Sequence, residues 1–186
     1  MAFSKGMLNI LFNSVANNTV IKSSGGLFVF SGGIVNSTTV EAGNMFIYAG
    51  GSANSTIIGA PGVMAGHPKC GLLIILSGGI ANSSFVKSNG EMYVSSGGIA
   101  YYTSVSSEGS LHVSSGETAR NTTVCFRGRF DIWGGFATNT MLSGGSAYVY
   151  KNGSVFDVDV DVDACLFVAT GGTALQIKEN GGYVDI

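Results

Sequence analysis

Apolar residues recur two apart along this chain in short bursts, and the bursts themselves recur every 18 or 19 residues. One set of bursts is Leu27/Val29, Met45/Ile47, Leu73/Ile75, Met92/Val94, Leu111/Val113, Phe130/Ile132 and Leu166/Val168. A period of two is the signature of a strand. A second set lies between them: a small residue, a hydroxyl three positions on, and an aliphatic residue two further on. The small position holds Ala16, Ala53, Ala81, Ala100, Ala119, Ala137 and Ala174, with Val35 and Val155 filling its gaps. The hydroxyl position holds Thr19, Thr38, Thr56, Ser84, Thr103, Thr122 and Thr140, and the aliphatic position runs from Ile21 to Val160.

Glycine pairs punctuate the pattern. Their first members are Gly32, Gly50, Gly78, Gly97, Gly116, Gly134, Gly153 and Gly171, spaced by 18, 28, 19, 19, 18, 19 and 18 residues. Each unit therefore reads as short strand, glycine turn, short strand, glycine pair. Strands this short cannot bury themselves alone, but stacking the units turns each apolar column into one wall of a shared core. Glycine suits the corners because it tolerates positive φ. The prediction is an all-β, single-stranded parallel β-solenoid (β-helix) of about nine coils of 18–19 residues, filling residues 1–186 as one repeat domain. Right-handed winding follows from the rule for parallel crossovers. The one long step marks a loop insertion at about 59–71.

Composition narrows the function. Of 186 residues 45% are hydrophobic and only 11% charged, against roughly 25% charged in an ordinary globular domain. Net charge is −2, with no basic patch to neutralise phosphates, so nucleic acid is excluded as a partner. The longest aliphatic run, LLIIL at 72–76, falls far short of the ~20 residues of a spanning helix, and no membrane insertion of this segment is expected. The start, MAFSKGMLNILFNS, carries one Lys and an apolar run broken by Asn9, a poor signal peptide. Cys70, Cys125 and Cys165 are too few and too scattered for a disulfide framework and fit a reducing compartment.

The phrases SGGIANSSFVKSNG (77–90), SSGGIAYYTSVSSEG (95–109) and GGFATNTMLSGG (134–145) resemble the strand-loop-strand repeats in passenger regions of AIDA-type bacterial autotransporter adhesins. The resemblance covers nearly the whole chain. It implies a surface-exposed rod used in adhesion or self-association, and repeat Ser and Thr that accept O-linked heptose from a dedicated cytoplasmic glycosyltransferase. It further implies a surface glycan or protein receptor as partner. Two departures from the family are expected from these residues, the lack of a signal peptide and of a translocator barrel, which leave open an excerpt or a stand-alone protein built from the same repeat. A bacterial cell-surface or secreted location is expected if it is part of a longer autotransporter, and a cytoplasmic one if it stands alone.

Candidate glycan acceptors are Thr39, Ser104 and Thr123, then Thr38, Thr56, Thr103 and Thr122. By parity with the aliphatic column, the second group faces inward, which favours the first; a hydroxyl ladder bonded between rungs is its structural alternative. Asn17, Asn36, Asn54, Asn82 and Asn121 fall in N-x-S/T phrases because the repeat recurs, and turn and ladder roles are expected of them. Outward positions of the second strand carry Phe28, Phe30, Phe46, Tyr48, Tyr93, Trp133, Tyr148, Tyr150 and Phe167. So many rings on one face point to an interface, with a homo-oligomer the first expectation; the alternative is that the insertion folds over them.

The remaining chemistry is thin. GAPGVMAGHPKC (59–70) holds both prolines, His67 and Cys70; these two lack a second pair of ligands, so no metal is expected. FDVDVDVDAC (156–165) alternates strictly, placing Val158, Val160 and Val162 inward and Asp157, Asp159, Asp161 and Asp163 in an outer acidic row. Calcium could bridge such a row, but without a GGxGxD motif a solvated face is the stronger reading. There is no GxSxG, HExxH, CxxC or P-loop phrase, only His67 and His112 are available as bases near neutral pH, and no cofactor is implied. The leading expectation is a non-enzymatic adhesin-like solenoid, possible O-heptosylation included. The alternatives are a carbohydrate-binding or carbohydrate-cleaving solenoid of the tail-spike or pectate-lyase kind, using the ring face as a sugar platform, and a cytoplasmic scaffold.

Overall fold

A computed structural model describes residues 1–59, 71–95 and 97–186. Among them every regular element is a strand, and the strands stack in parallel, coil upon coil, into a β-solenoid. In the early coils each turn has three arms, as in Ile34–Asn36, Thr39–Val40 and Asn44–Ile47. The first two arms stack into a 15-stranded sheet and the third into a 10-stranded sheet.

The columns of the sequence are the ladders of the structure. Ala16 pairs with Val35, Val35 with Ala53, Ala53 with Ala81, and so on without slip to Val155 and Ala174. The third arm keeps register across the insertion, Met45 pairing with Leu73 and Leu73 with Met92. These inward residues are buried almost throughout and form one core. A parallel ladder buried on its inner side demands this regularity, because a one-residue slip would turn every core side chain outward.

Two strands per coil were expected and three are found before residue 117. The first strand is broken by a left-handed residue: Asn18, Ser37, Ser55, Ser83, Tyr102, Asn121, Asn139, Asp157 and Gln176 all have φ between 50° and 61°. This column turns the chain so that the following Thr points into the core. From Thr118–Cys125 onward the two arms run on as one eight-residue strand, with the same left-handed residue inside it.

The glycine pairs divide their work. The first member has positive φ, as at Gly32 (74°) and Gly97 (84°). The second lies so close to the preceding rung that a Cβ would strike backbone: at Gly79 it would sit 2.6 Å from the Ile47 carbonyl oxygen. Register corrects one assignment. Ser154 pairs with Thr173, so Gly153 is a second member and Asn152, with φ 65°, takes the left-handed place. At Gly116–Glu117 the second glycine is replaced altogether: Glu117 is buried, and its carboxylate accepts the N–H of Gly97. In earlier coils that N–H bonds the next rung, as Gly78 does to Gly97.

Val162 is a further correction. It is 63% exposed, not inward. The chain turns at Val162–Asp163, with Asp163 at φ 62°, so the alternation that buries Val158 and Val160 ends one residue earlier. His67, Cys70 and most of the 59–71 insertion lie outside the described residues.

Candidate functional site

With the interior given over to packing, function must lie in the outward columns, and three of them carry distinct chemistry. The first follows the left-handed residue along the second arm. Register places Val20, Thr39, Ile57, Phe85, Ser104, Thr123, Met141, Asp159 and Lys178 in one line. Thr39, Ser104 and Thr123 are half-buried and reachable. Thr38, Thr56, Thr103 and Thr122 are at most 1% exposed, and a sugar on any of them would have to enter the core, so they are struck out as acceptors in the folded rod. Their hydroxyls do not form the expected ladder either: the oxygens of Thr38, Thr56, Ser84, Thr103, Thr122 and Thr140 have no hydrogen-bond partner. Successive rungs lie about 4.8 Å apart, too far for one hydroxyl to reach the next.

Asn side chains do form a ladder. Asn36 Nδ2 donates to Asn17 Oδ1 at 2.8 Å, Asn54 to Asn36 at 2.9 Å and Asn82 to Asn54 at 3.2 Å. Asn121 belongs to the left-handed column instead and accepts from Asn139 at 3.1 Å.

The second region is the outer face of the 10-stranded sheet. Its rings are less exposed than the sequence suggests; of the nine, only Trp133, at 49%, is classed with the exposed hydrophobics. The reason is stacking along the axis. Phe28 lies on Phe46 with centroids 5.2 Å apart, Phe30 on Tyr48 at 4.9 Å, and Tyr148 on Phe167 at 5.0 Å. Neighbouring rungs cover the ring faces and leave edges to solvent.

Within this face sits a polar cluster. Asp131, 1% exposed, accepts from Arg129 Nε at 2.7 Å, and His112 Nδ1 lies 3.2 Å from the same carboxylate. Arg129 also donates to the Tyr150 hydroxyl at 3.0 Å and lies over the Tyr148 ring at 4.3 Å. His112 stacks on Tyr93 at 4.5 Å. Burial pushes the Asp131 carboxyl up, but the hydrogen bond and charge of Arg129 and the close approach of His112 outweigh it and hold the group below its ordinary value. The bond to Asp131 raises Arg129 further, and burial together with the Glu91 charge raises the Tyr93 phenol. Of this cluster the sequence singled out His112 and the rings Tyr93, Tyr148 and Tyr150, but neither Arg129 nor Asp131. Arg129 and Asp131 could have been found by aligning RFDIW with NMFIY and EMYVS, where charges stand in a column otherwise carrying rings or uncharged residues on most rungs.

The third region is a groove of about 290 Å³ at the bend, lined by Tyr102, Ser104, Asn121, Thr123, Asn139 and Met141 above the buried Thr103 and Thr122. Beyond Met141 a smaller hollow of about 160 Å³ continues to Asp157 and Asp159. Asp159 is 3.8 Å from Lys178, and among the described residues no cluster of His, Cys, Asp or Glu is suited to hold a metal ion.

The chain aligns over 99% of its length with the TibA55-350 fragment, whose crystal structure is of a TibC-catalysed, hyper-glycosylated form, at 30% identity and a TM-score of 0.63, covering 81% of that fragment. The chain belongs to the same family as TibA. No protein-family model and no curated protein matches the chain. A trypsin-treated variant of QnrB1, a plasmid-mediated fluoroquinolone resistance protein, aligns at 9% identity over 96% of this chain and 92% of its own, with a TM-score of 0.25, too low to carry an argument. Cys125 and Cys165 are free thiols on different sheets, and among the described residues no helix is long and apolar enough to cross a membrane.

Proposed function

We propose that the chain is a non-enzymatic, adhesin-like passenger module that acts at the bacterial surface in adhesion or self-association and carries O-linked heptose on outward repeat hydroxyls. The observation that carries this reading is the likeness to TibA across 99% of the chain. Thr39, Ser104 and Thr123 are the acceptors, because they alone among the proposed hydroxyls stand outside the core, and a heptosyltransferase of the TibC kind is the partner that modifies them. The ring face, which includes Trp133, Tyr148, Tyr150 and Phe167, is the surface for a second copy or a receptor. Surface display tests the reading: bacteria presenting this chain should settle faster or adhere to host cells above a display-only control. Behaviour identical to the control would count against it.

A further inference from the structure

The left-handed column holds an anomaly. Eight of its nine positions carry Asn, Ser, Asp or Gln, small or amide-bearing residues; the ninth is Tyr102, at φ 52°. A bulky side chain disfavours this conformation, which Asn adopts readily. Residues held in sparsely populated backbone regions cluster at functional sites. Tyr102 packs into no core: it is 62% exposed, and it forms one wall of the bend groove.

The groove has the chemistry of a sugar site. Tyr102 and the 45%-exposed Met141 supply apolar surface, Ser104 and Thr123 supply hydroxyls, and Asn121 and Asn139 supply amides that both donate and accept. None of its lining residues carries a charge at neutral pH. The acidic hollow beyond Met141, with Asp157 and Asp159, repels anions approaching that end. A volume of about 290 Å³ lies at the lower end of small-molecule pockets and admits one or two sugar rings. The ring face of the other sheet is worse suited, because its rings already cover one another's faces.

We propose that the bend groove is a binding site for a neutral pyranose-type sugar, with Tyr102 as its stacking platform and the Asn121, Asn139, Ser104 and Thr123 polar groups as its hydrogen-bonding floor. The sugar has two possible sources: a neutral glycan of another molecule, or a sugar attached in cis to Ser104 or Thr123, the latter resting on the function proposed above. Saturation-transfer-difference NMR separates them. The unmodified chain is titrated with cellobiose, lactose and maltose, with sialyllactose as the anionic comparator. Tyr102→Asn and Met141→Ala are the groove variants, and Trp133→Ser on the other sheet is the control.

An external ligand gives transfer to a neutral disaccharide that falls at least tenfold in Tyr102→Asn and persists in Trp133→Ser, while the Tm of Tyr102→Asn equals or exceeds wild type. A cis sugar gives no transfer from free saccharides, but on host-modified chain the attached sugar's resonances sharpen in Tyr102→Asn and Met141→Ala. The proposal is overturned if neither pattern is seen, if sialyllactose binds as well as the neutral sugars, or if Tyr102→Asn leaves binding intact. If the sugar is missing from host-modified chain while free disaccharides still bind, the glycosylation reading fails and the groove stands.

Discussion

The coils before residue 117 and the coils after it meet the same geometric demands with different residues. In the early coils the bend separates two arms, Asn17, Asn36, Asn54 and Asn82 bond rung to rung, and the inward hydroxyl column is Thr or Ser throughout. In the late coils the arms fuse. Arg120, Thr138, Phe156 and Leu175 then stand where the Asn ladder was, and after Thr122 and Thr140 the inward Thr gives way to Val158 and Ile177. The corner, glycine from Gly25 to Gly145 and again at Gly182, is Ala164 on one late rung, 1% exposed. The ring faces differ too: Phe28, Phe46, Phe30 and Tyr48 stack only on one another, whereas the later rings enclose Arg129, Asp131 and His112. The difference teaches that the fold specifies a volume and a backbone angle at each position. Residue identity is free wherever another residue supplies both.

The corner gives the largest test of that statement. A Cβ at Gly109 would meet the Val86 carbonyl oxygen well inside van der Waals contact, while Ala164 occupies the equivalent place two sheet rungs beyond Gly128. Gly109→Ala should cost about 2–3 kcal/mol by overpacking, and Ala164→Gly less than half as much. Chemical denaturation of the two variants measures both; equal losses would mean that the late corner has not relaxed.

Next in size is the ion pair between buried Asp131 and half-exposed Arg129. Asp131→Asn removes a carboxylate that accepts from Arg129, and should cost about 1.5–3 kcal/mol at neutral pH. Because the folded carboxyl is held below its ordinary value, its contribution is present above about pH 3.9, the unfolded range, and fades as pH falls through the lower folded value. The Tm gap between wild type and Asp131→Asn should stay constant from pH 7 to 5 and close only below about 4. A gap closing between pH 7 and 5 would contradict this assignment. The early ring face, having no such pair, should show no comparable step.

The hydroxyl column gives a smaller effect of opposite sign. Thr122 buries an oxygen without a partner, so Thr122→Val should stabilise by about 1 kcal/mol and Val158→Thr should destabilise by about the same amount. Loss of stability in Thr122→Val would mean that the inward hydroxyls have partners. Smallest is the Asn ladder, where Asn36→Ala should cost about 0.5–1 kcal/mol and the equivalent late change, Thr138→Ala, a few tenths at most; urea midpoints resolve the two.

Most of the fold was legible because the ladders are periodic. The Ala and Val columns read from sequence are the register partners of the structure, residue for residue, and in the Thr column Thr122 pairs with Thr140 in the same way. What periodicity could not show is backbone conformation. The left-handed bend rests on φ, and the residues that adopt it, from Asn18 to Gln176, share no apolar pattern. The same blindness put Val162 inside, since alternation continues in the letters for one residue after the chain has turned. The candidate sites were legible only in part. Inward parity removed the buried threonines and left Thr39, Ser104 and Thr123, but the Arg129–Asp131–His112 cluster joins residues from neighbouring rungs, and the groove at Tyr102 exists only because three rungs bend together. Both are departures from the repeat, visible as misfits in a column before their chemistry is known.

The most direct measurement for the account as a whole is the intact mass, with peptide mapping, of the protein isolated from its own host. The account predicts heptose-sized increments above the bare 19.0 kDa, mapped to Thr39, Ser104 or Thr123 and absent from Thr38, Thr56, Thr103 and Thr122. The bare mass, or sugars on the inward column, would contradict it.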